Sequence, residues 1–146
     1  MVTRTSSPDG QDFGKILAEY ADALNNTVTV ALAAGAANTM GITITVKDGN
    51  GATVAGVHQL EFWMSEATTG IGLTADAYSG DLTASVGAIL SAHTAKKHWS
   101  VVTAATGIFT AALVDTAKPA DQYVAVRRPT GGKVFVSAAS GANWGA

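Results

Sequence analysis

The sequence predicts a mainly β protein, an antiparallel β-sandwich with one short N-terminal helix. The clearest observation is that Ile42, Ile44 and Val46 alternate with polar residues, which in a pleated strand places apolar side chains on one face. The run Asp48-Gly49-Asn50-Gly51 follows, and such residues tolerate positive φ and are typical of a hairpin turn. Further short apolar segments separated by turn residues extend the same pattern along the chain.

Residues 1–26 are predicted to form a separate N-terminal part, an arm over 1–11 followed by an amphipathic helix. Five large apolar residues recur there at helical spacing: Phe13, Ile16, Leu17, Tyr20 and Leu24. An isolated three-turn helix needs something to pack against. It is therefore either part of the sandwich core or a docking element for a partner.

Residues 27–146 are predicted to form the sandwich domain. Strands are expected at 28–32, 42–46, 58–64, 88–93, 98–103, 108–114, 122–128 and 133–137. A second sheet is expected to begin at His58. The stretch 65–81 is too long for a hairpin loop and too weakly apolar for a core strand, so it is predicted to be a functional or a disordered loop.

Two tryptophans are candidates for contacts with a partner. In the strand 58–64, Trp63 lies on the face opposite Leu60 and Phe62, unless the register is shifted by one and Trp63 is the buried aromatic of the sandwich. Trp144 lies two residues from the C-terminus, where docking on this subunit or on a neighbour is expected. The full set of candidate partner-binding residues is Phe13, Ile16, Leu17, Tyr20, Trp63, Tyr78 and Trp144.

Composition narrows the possible function classes. The 146 residues contain no Cys, which excludes disulfides and thiolate metal sites. The N-terminus lacks the apolar run of a signal peptide, and no stretch of about 18 apolar residues is present to span a bilayer, so we expect a soluble protein that is made in a cytoplasm. The net charge of −2, without a basic stripe, argues against nucleic-acid binding.

Charged residues are few and segregated. They make up 14% of the chain, against roughly 25% in a typical soluble domain. Either this low fraction of charged residues reflects an Ala- and Gly-rich genome, or other subunits cover much of the surface. All four charges over 50–95 are acidic, whereas basic residues predominate from Lys96 onward. Opposite charges could therefore meet across the interfaces of a ring, for which a trimer is favoured.

No catalytic or metal-binding constellation is predicted. His93 and His98 are five residues apart, which would place them on opposite faces of one strand, and no third ligand lies at a characteristic spacing. They are interpreted as structural histidines. Ser100 has no Gly-x-Ser-x-Gly elbow around it. We therefore expect a non-enzymatic protein with no cofactor and no bound metal.

Three segments resemble parts of bacterial immunoglobulin-like (Ig-like) domains. The run Ile44-Thr-Val46-Lys-Asp48-Gly-Asn-Gly51-Ala-Thr-Val54-Ala-Gly56 resembles their second strand and turn. Residues 103–113 resemble their Thr-Asp-x-x-Gly turn and the following strand, with Ala104 where Asp is usual, and residues 123–136 resemble the closing hairpin. The resemblance covers residues 40–138 with an insertion at 65–100. It implies an Ig-like or jelly-roll sandwich.

Short Ig-like chains with a helical N-terminal segment are similar to structural proteins of tailed-bacteriophage virions. The resemblance implies a head decoration or cement protein on the capsid surface, made in the host cytoplasm. Its expected partners are the major capsid protein and further copies of itself, with no nucleic acid or membrane. The alternative is a carbohydrate- or receptor-binding module of a phage fibre or tail.

Overall fold

The computed structural model describes residues 27–129 and 132–146. In these residues it has nine strands: β1 (Thr27–Ala34), β2 (Thr39–Lys47), β3 (Gln59–Ser65), β4 (Thr83–Val86), β5 (Ala88–Thr94), β6 (His98–Val102), β7 (Ile108–Val114), β8 (Tyr123–Arg127) and β9 (Phe135–Val136). A short 3₁₀ helix follows at Gly141–Asn143. The predicted arm and helix, with Phe13, Ile16, Leu17 and Tyr20, lie outside the described residues.

The strands form two antiparallel sheets, which confirms the mainly β sandwich. One sheet has four strands in the order β1-β2-β7-β4, and the other has five in the order β5-β6-β3-β8-β9. The second sheet begins at β3, as predicted near His58. Within the described residues, the chain has no helix with the length and apolarity needed to cross a membrane.

The core lies between the inner faces of the two sheets. Alternation in β2 buries Met40, Ile42, Ile44 and Val46 completely, and alternation in β3 does the same for Leu60, Phe62 and Met64. The Phe62 side chain contacts aromatic residues of both sheets. Its ring stacks on Trp99 with centroids 4.9 Å apart and lies 6.0 Å from Phe109 in the opposite sheet.

The predicted turn after β2 forms, but its second arm is short. The Oδ1 atom of Asp48 accepts hydrogen bonds from the backbone N–H groups of Asn50 and Ala52, both at 2.9 Å. After the turn, the returning segment pairs with β2 only through an isolated antiparallel bridge between Lys47 and Thr53. The chain leaves this hairpin and crosses to the other sheet.

The segment 65–100, predicted as an insertion, contributes to the sandwich. It contains β4, which the sequence patterns did not predict, and β5, which they did. The loop before β4 is fixed by Tyr78, whose side chain is 1% exposed and whose hydroxyl donates to Gln122 at 2.9 Å. Burial raises the pKa of this hydroxyl. The expectation that Tyr78 offers its ring to a partner is therefore corrected: it is a core residue.

The C-terminal tail docks on its own chain, one of the two predicted alternatives. Trp144 is 7% exposed, its indole N–H donates to the Pro119 carbonyl at 2.9 Å, and its ring stacks on Tyr78 with centroids 6.1 Å apart. The backbone of Gly145 also pairs with Thr39 and Asn38. Trp144 therefore stabilises this subunit and leaves little surface for a partner.

Candidate functional site

The outer face of the five-stranded sheet carries a compact polar and aromatic cluster. Because Leu60, Phe62 and Met64 point into the core, Glu61 and Trp63 of β3 point outward. The register aligns Trp63 with His98 on β6 and Glu61 with Arg127 on β8. The predicted placement of Trp63 opposite the core residues is confirmed, and the shifted-register alternative is wrong.

Arg127 contacts both Glu61 and Trp63 in this cluster. Its Nε atom donates to Oε2 of Glu61 at 2.8 Å, and its guanidinium carbon lies 5.5 Å from the centroid of the Trp63 ring. Trp63 in turn donates its indole N–H to the Gly70 carbonyl at 2.8 Å. The indole is therefore fixed between the sheet and the loop that follows β3.

The two histidines expected on opposite faces of one strand are in fact neighbours. His93 belongs to β5 and His98 to β6, because the chain turns between them at residues 95–97, where Lys96 has a φ of 63°. Their ring centroids are 4.7 Å apart. Glu61 completes a group whose potential ligand atoms all lie within 4.8 Å of one another. The histidine pair therefore has a third potential ligand close by in space, although none lies at a characteristic spacing in the sequence.

The electrostatics of the cluster favour a neutral His98. Burial lowers its pKa below the ordinary value, and the neighbouring His93 and Arg127 lower it further, while Glu61 acts in the opposite direction. The Nε2 atom of His98 is buried and has no hydrogen-bond partner among the described residues. An unpaired polar atom of this kind costs about 1–3 kcal/mol.

Ser100 and His93 form a short contact, with 2.6 Å between the hydroxyl oxygen and Nε2. Such a pair can activate a serine nucleophile when donors for an oxyanion are close by. Ser100, however, lies in β6, which is paired on both sides by β5 and β3, so the backbone N–H groups beside it belong to the sheet ladders. We interpret the contact as one that orients the imidazole of His93.

An open cleft of about 350 Å³ lies beside the cluster. Trp63, His98, Arg127 and Val134 line it, together with the loop 70–73. In this loop Ile71 is 78% exposed and Leu73 is 45% exposed. The sequence patterns missed both residues, since two apolar residues within a long glycine-rich loop carry no periodic signal.

A second candidate surface is the side of the sandwich formed by β4 and β5. Each is the outer strand of its sheet in the described part of the chain, and only Gly87 separates them, so both edges lie on one side. Residues 83–94 contain no Asp, Glu, Lys or Arg. Every residue of β5 except Ile89 is exposed, with Leu90 at 54%, and two register shifts interrupt its pairing with β6.

The segregated charges meet partly within one chain. Glu61, from the acidic segment, forms its ion pair with Arg127 from the basic segment. The ammonium groups of Lys96 and Lys97 donate to backbone carbonyls of the loop that precedes β4, at Ser79 for the first and at Thr74 and Ala75 for the second. The Glu61–Arg127 pair therefore leaves one acidic and one basic group fewer for pairing between subunits.

Comparison of the chain with protein-family models, with curated proteins and with solved structures gives no significant match.

Proposed function

We propose that this chain is a structural virion protein, a decoration or cement protein that stabilises a tailed-phage head by repeated contacts with the major capsid protein. The observation that carries the proposal is the uncharged, exposed edge formed by β4 and β5. Soluble proteins usually protect such edges with charged side chains, Pro or a covering segment. An edge without charged residues is suited to contact with another protein.

The chemistry of this edge fits a docking surface. Exposed backbone groups of an outer strand can pair with a strand of another protein, and neighbouring apolar side chains add contact area. Val86 and Leu90 provide exposed apolar groups there. On a capsid lattice, weak individual contacts are sufficient because many copies bind together.

The direct test is the copy number of the chain in purified virions, measured by quantitative mass spectrometry. A decoration protein should be present in numbers comparable with those of the major capsid protein. A few copies per particle, or none, would contradict the proposal.

A matched pair of variants tests the edge itself. Leu90→Lys adds a charge to β5, whereas Val57→Lys adds the same charge at a similarly exposed apolar residue outside β4 and β5. Leu90→Lys should reduce co-sedimentation with heads that lack the protein, and Val57→Lys should not. Equal binding by both variants would exclude this edge as the contact.

The alternative function, a carbohydrate- or receptor-binding module of a fibre or tail, draws on the cleft beside Trp63. An aromatic ring next to Arg127 and His98 offers a stacking surface with polar groups nearby. Binding on a glycan array that is lost in Trp63→Ala but kept in Leu90→Lys would favour this function. Absence of binding to any glycan would remove the carbohydrate reading.

Self-association into a trimer is part of the first proposal. Exposed ion pairs contribute only about 0–1 kcal/mol each, so salt should weaken the assembly partly, with apolar contacts providing the remainder. Light scattering over a salt series measures this. A monomer at every salt concentration, and in the particle, would contradict the trimer.

A further inference from the structure

We propose that Glu61, His93 and His98 bind a divalent transition-metal ion, with zinc as the best fit. The three side chains come from three adjacent strands, β3, β5 and β6, and meet on the outer face of the sheet. Two imidazoles and one carboxylate form a ligand set that zinc accepts, with a fourth position for water. This site lies on the outer face of the sheet and, apart from His93 on β5, uses no residue of the β4–β5 edge on which the proposed function rests.

The geometry requires only a small adjustment. The potential ligand atoms lie within 4.8 Å of one another, whereas two ligands bound to one zinc at about 2.1 Å in tetrahedral geometry lie roughly 3.4 Å apart. Small side-chain rotations would cover this difference of roughly 1.4 Å. The strands need not move.

A second observation points to a ligand. The buried Nε2 atom of His98 lacks a hydrogen-bond partner among the described residues, although buried polar atoms are normally paired. A metal ion would satisfy it. The imidazole of His93 is oriented by Ser100, and metal-binding histidines usually have one ring nitrogen held in this way by a neighbouring group.

Arg127 makes the proposal more specific. It occupies Oε2 of Glu61 at 2.8 Å, so one carboxylate oxygen remains for an ion, and its positive charge opposes cation binding. Calcium and magnesium, which need several oxygen ligands, should therefore bind poorly. Ions that prefer imidazole nitrogen should bind.

The test uses the full chain without an affinity tag, stripped with a chelator and titrated with Zn²⁺ by calorimetry and with Co²⁺ by visible absorption. We expect one ion per chain and a cobalt spectrum of a low-coordinate nitrogen and oxygen site. His93→Asn should weaken zinc binding by at least about tenfold. His93 is exposed, so this change should leave the fold intact, which circular dichroism checks.

Two further variants separate a built site from adventitious binding to histidine. The chain has only three histidines, and the third, His58, contacts the Val54 carbonyl at 3.2 Å and lies outside the cluster. His58→Asn should leave zinc binding unchanged, while Arg127→Met should strengthen it because an opposing charge is removed. No saturable zinc binding, or equal losses in His58→Asn and His93→Asn, would overturn the proposal.

Discussion

Replacing Trp144 by Ala tests whether the last residues of the chain belong to the core. The indole is 7% exposed, stacks on Tyr78 and donates to the Pro119 carbonyl. If the tail is an integral part of the sandwich, its removal should destabilise the whole domain. If it only rests on the surface, the effect should be small.

The expected loss follows from the contacts. Truncation of a buried Trp to Ala costs about 3–5 kcal/mol. Pro119 keeps a hydrogen-bond donor because the Ser140 hydroxyl also reaches its carbonyl, at 2.6 Å, so no further cost for an unpaired carbonyl is added. With an m-value of about 2 kcal/mol per molar urea, the unfolding midpoint should fall by roughly 2 M.

Urea unfolding followed by circular dichroism measures this loss, and Trp144→Phe is the control. The phenylalanine ring keeps most of the packing but lacks the N–H donor, so its cost should be only about 1 kcal/mol. A loss below about 1 kcal/mol for Trp144→Ala, or a loss that depends on protein concentration, would refute docking on the same subunit.

Three further predictions concern single residues. Gly107→Ala should lower the free energy of unfolding by more than about 3 kcal/mol, because Gly107 has a φ of 78° and a Cβ atom there would overlap the Val54 carbonyl. The control Gly51→Ala has a similar φ but open space around it, so it should lower the free energy of unfolding by only about 1 kcal/mol. Equal urea midpoints for the two variants would contradict this prediction. Because the pKa of His98 is lowered in the fold, the unfolded chain binds a proton at this residue first as the pH falls. The contribution of His98 to the free energy of unfolding should therefore not change with pH well above its ordinary pKa of about 6.5, should decrease as the pH falls from there to the lower folded pKa, and should level off below it. His98→Gln should remove this decrease in urea titrations with chelator present. Tyr78→Phe leaves the buried side-chain oxygen of Gln122 without its hydrogen-bond donor and should lower the free energy of unfolding by about 1–3 kcal/mol. Urea unfolding measures this loss, and an unchanged midpoint would show that the hydrogen bond contributes nothing to stability.

The strands could be predicted from local patterns because the alternation of apolar and polar residues in a strand indicates which of its faces is buried. The alternation of Ile42, Ile44 and Val46 requires one buried face, and the structure buries all three completely. The same reasoning placed Trp63 on the outer face of β3. Strand β4 was missed because Thr83–Val86 is short and has no alternating apolar face, since three of its four residues are exposed.

The cluster on the outer face could not be predicted in the same way. Glu61 is 32 residues from His93 in the sequence, and its proximity depends on which strands are neighbours and in what register. The histidine pair was misinterpreted for a related reason. A strand running through both residues would place them on opposite faces, but the turn at residues 95–97 brings them together. Strand order across a sheet is a long-range property that residue spacing does not encode.

The two surfaces share one element, since His93 lies on β5, whose outer side forms part of the exposed edge. A metal ion held by His93, His98 and Glu61 would tether β5 across β6 to the central strand β3. Such a tether would restrict an edge strand whose pairing with β6 is interrupted twice. If edge contact with a partner also requires an ordered β5, then metal binding and partner binding must strengthen each other by the same factor, because coupling between two binding equilibria is reciprocal.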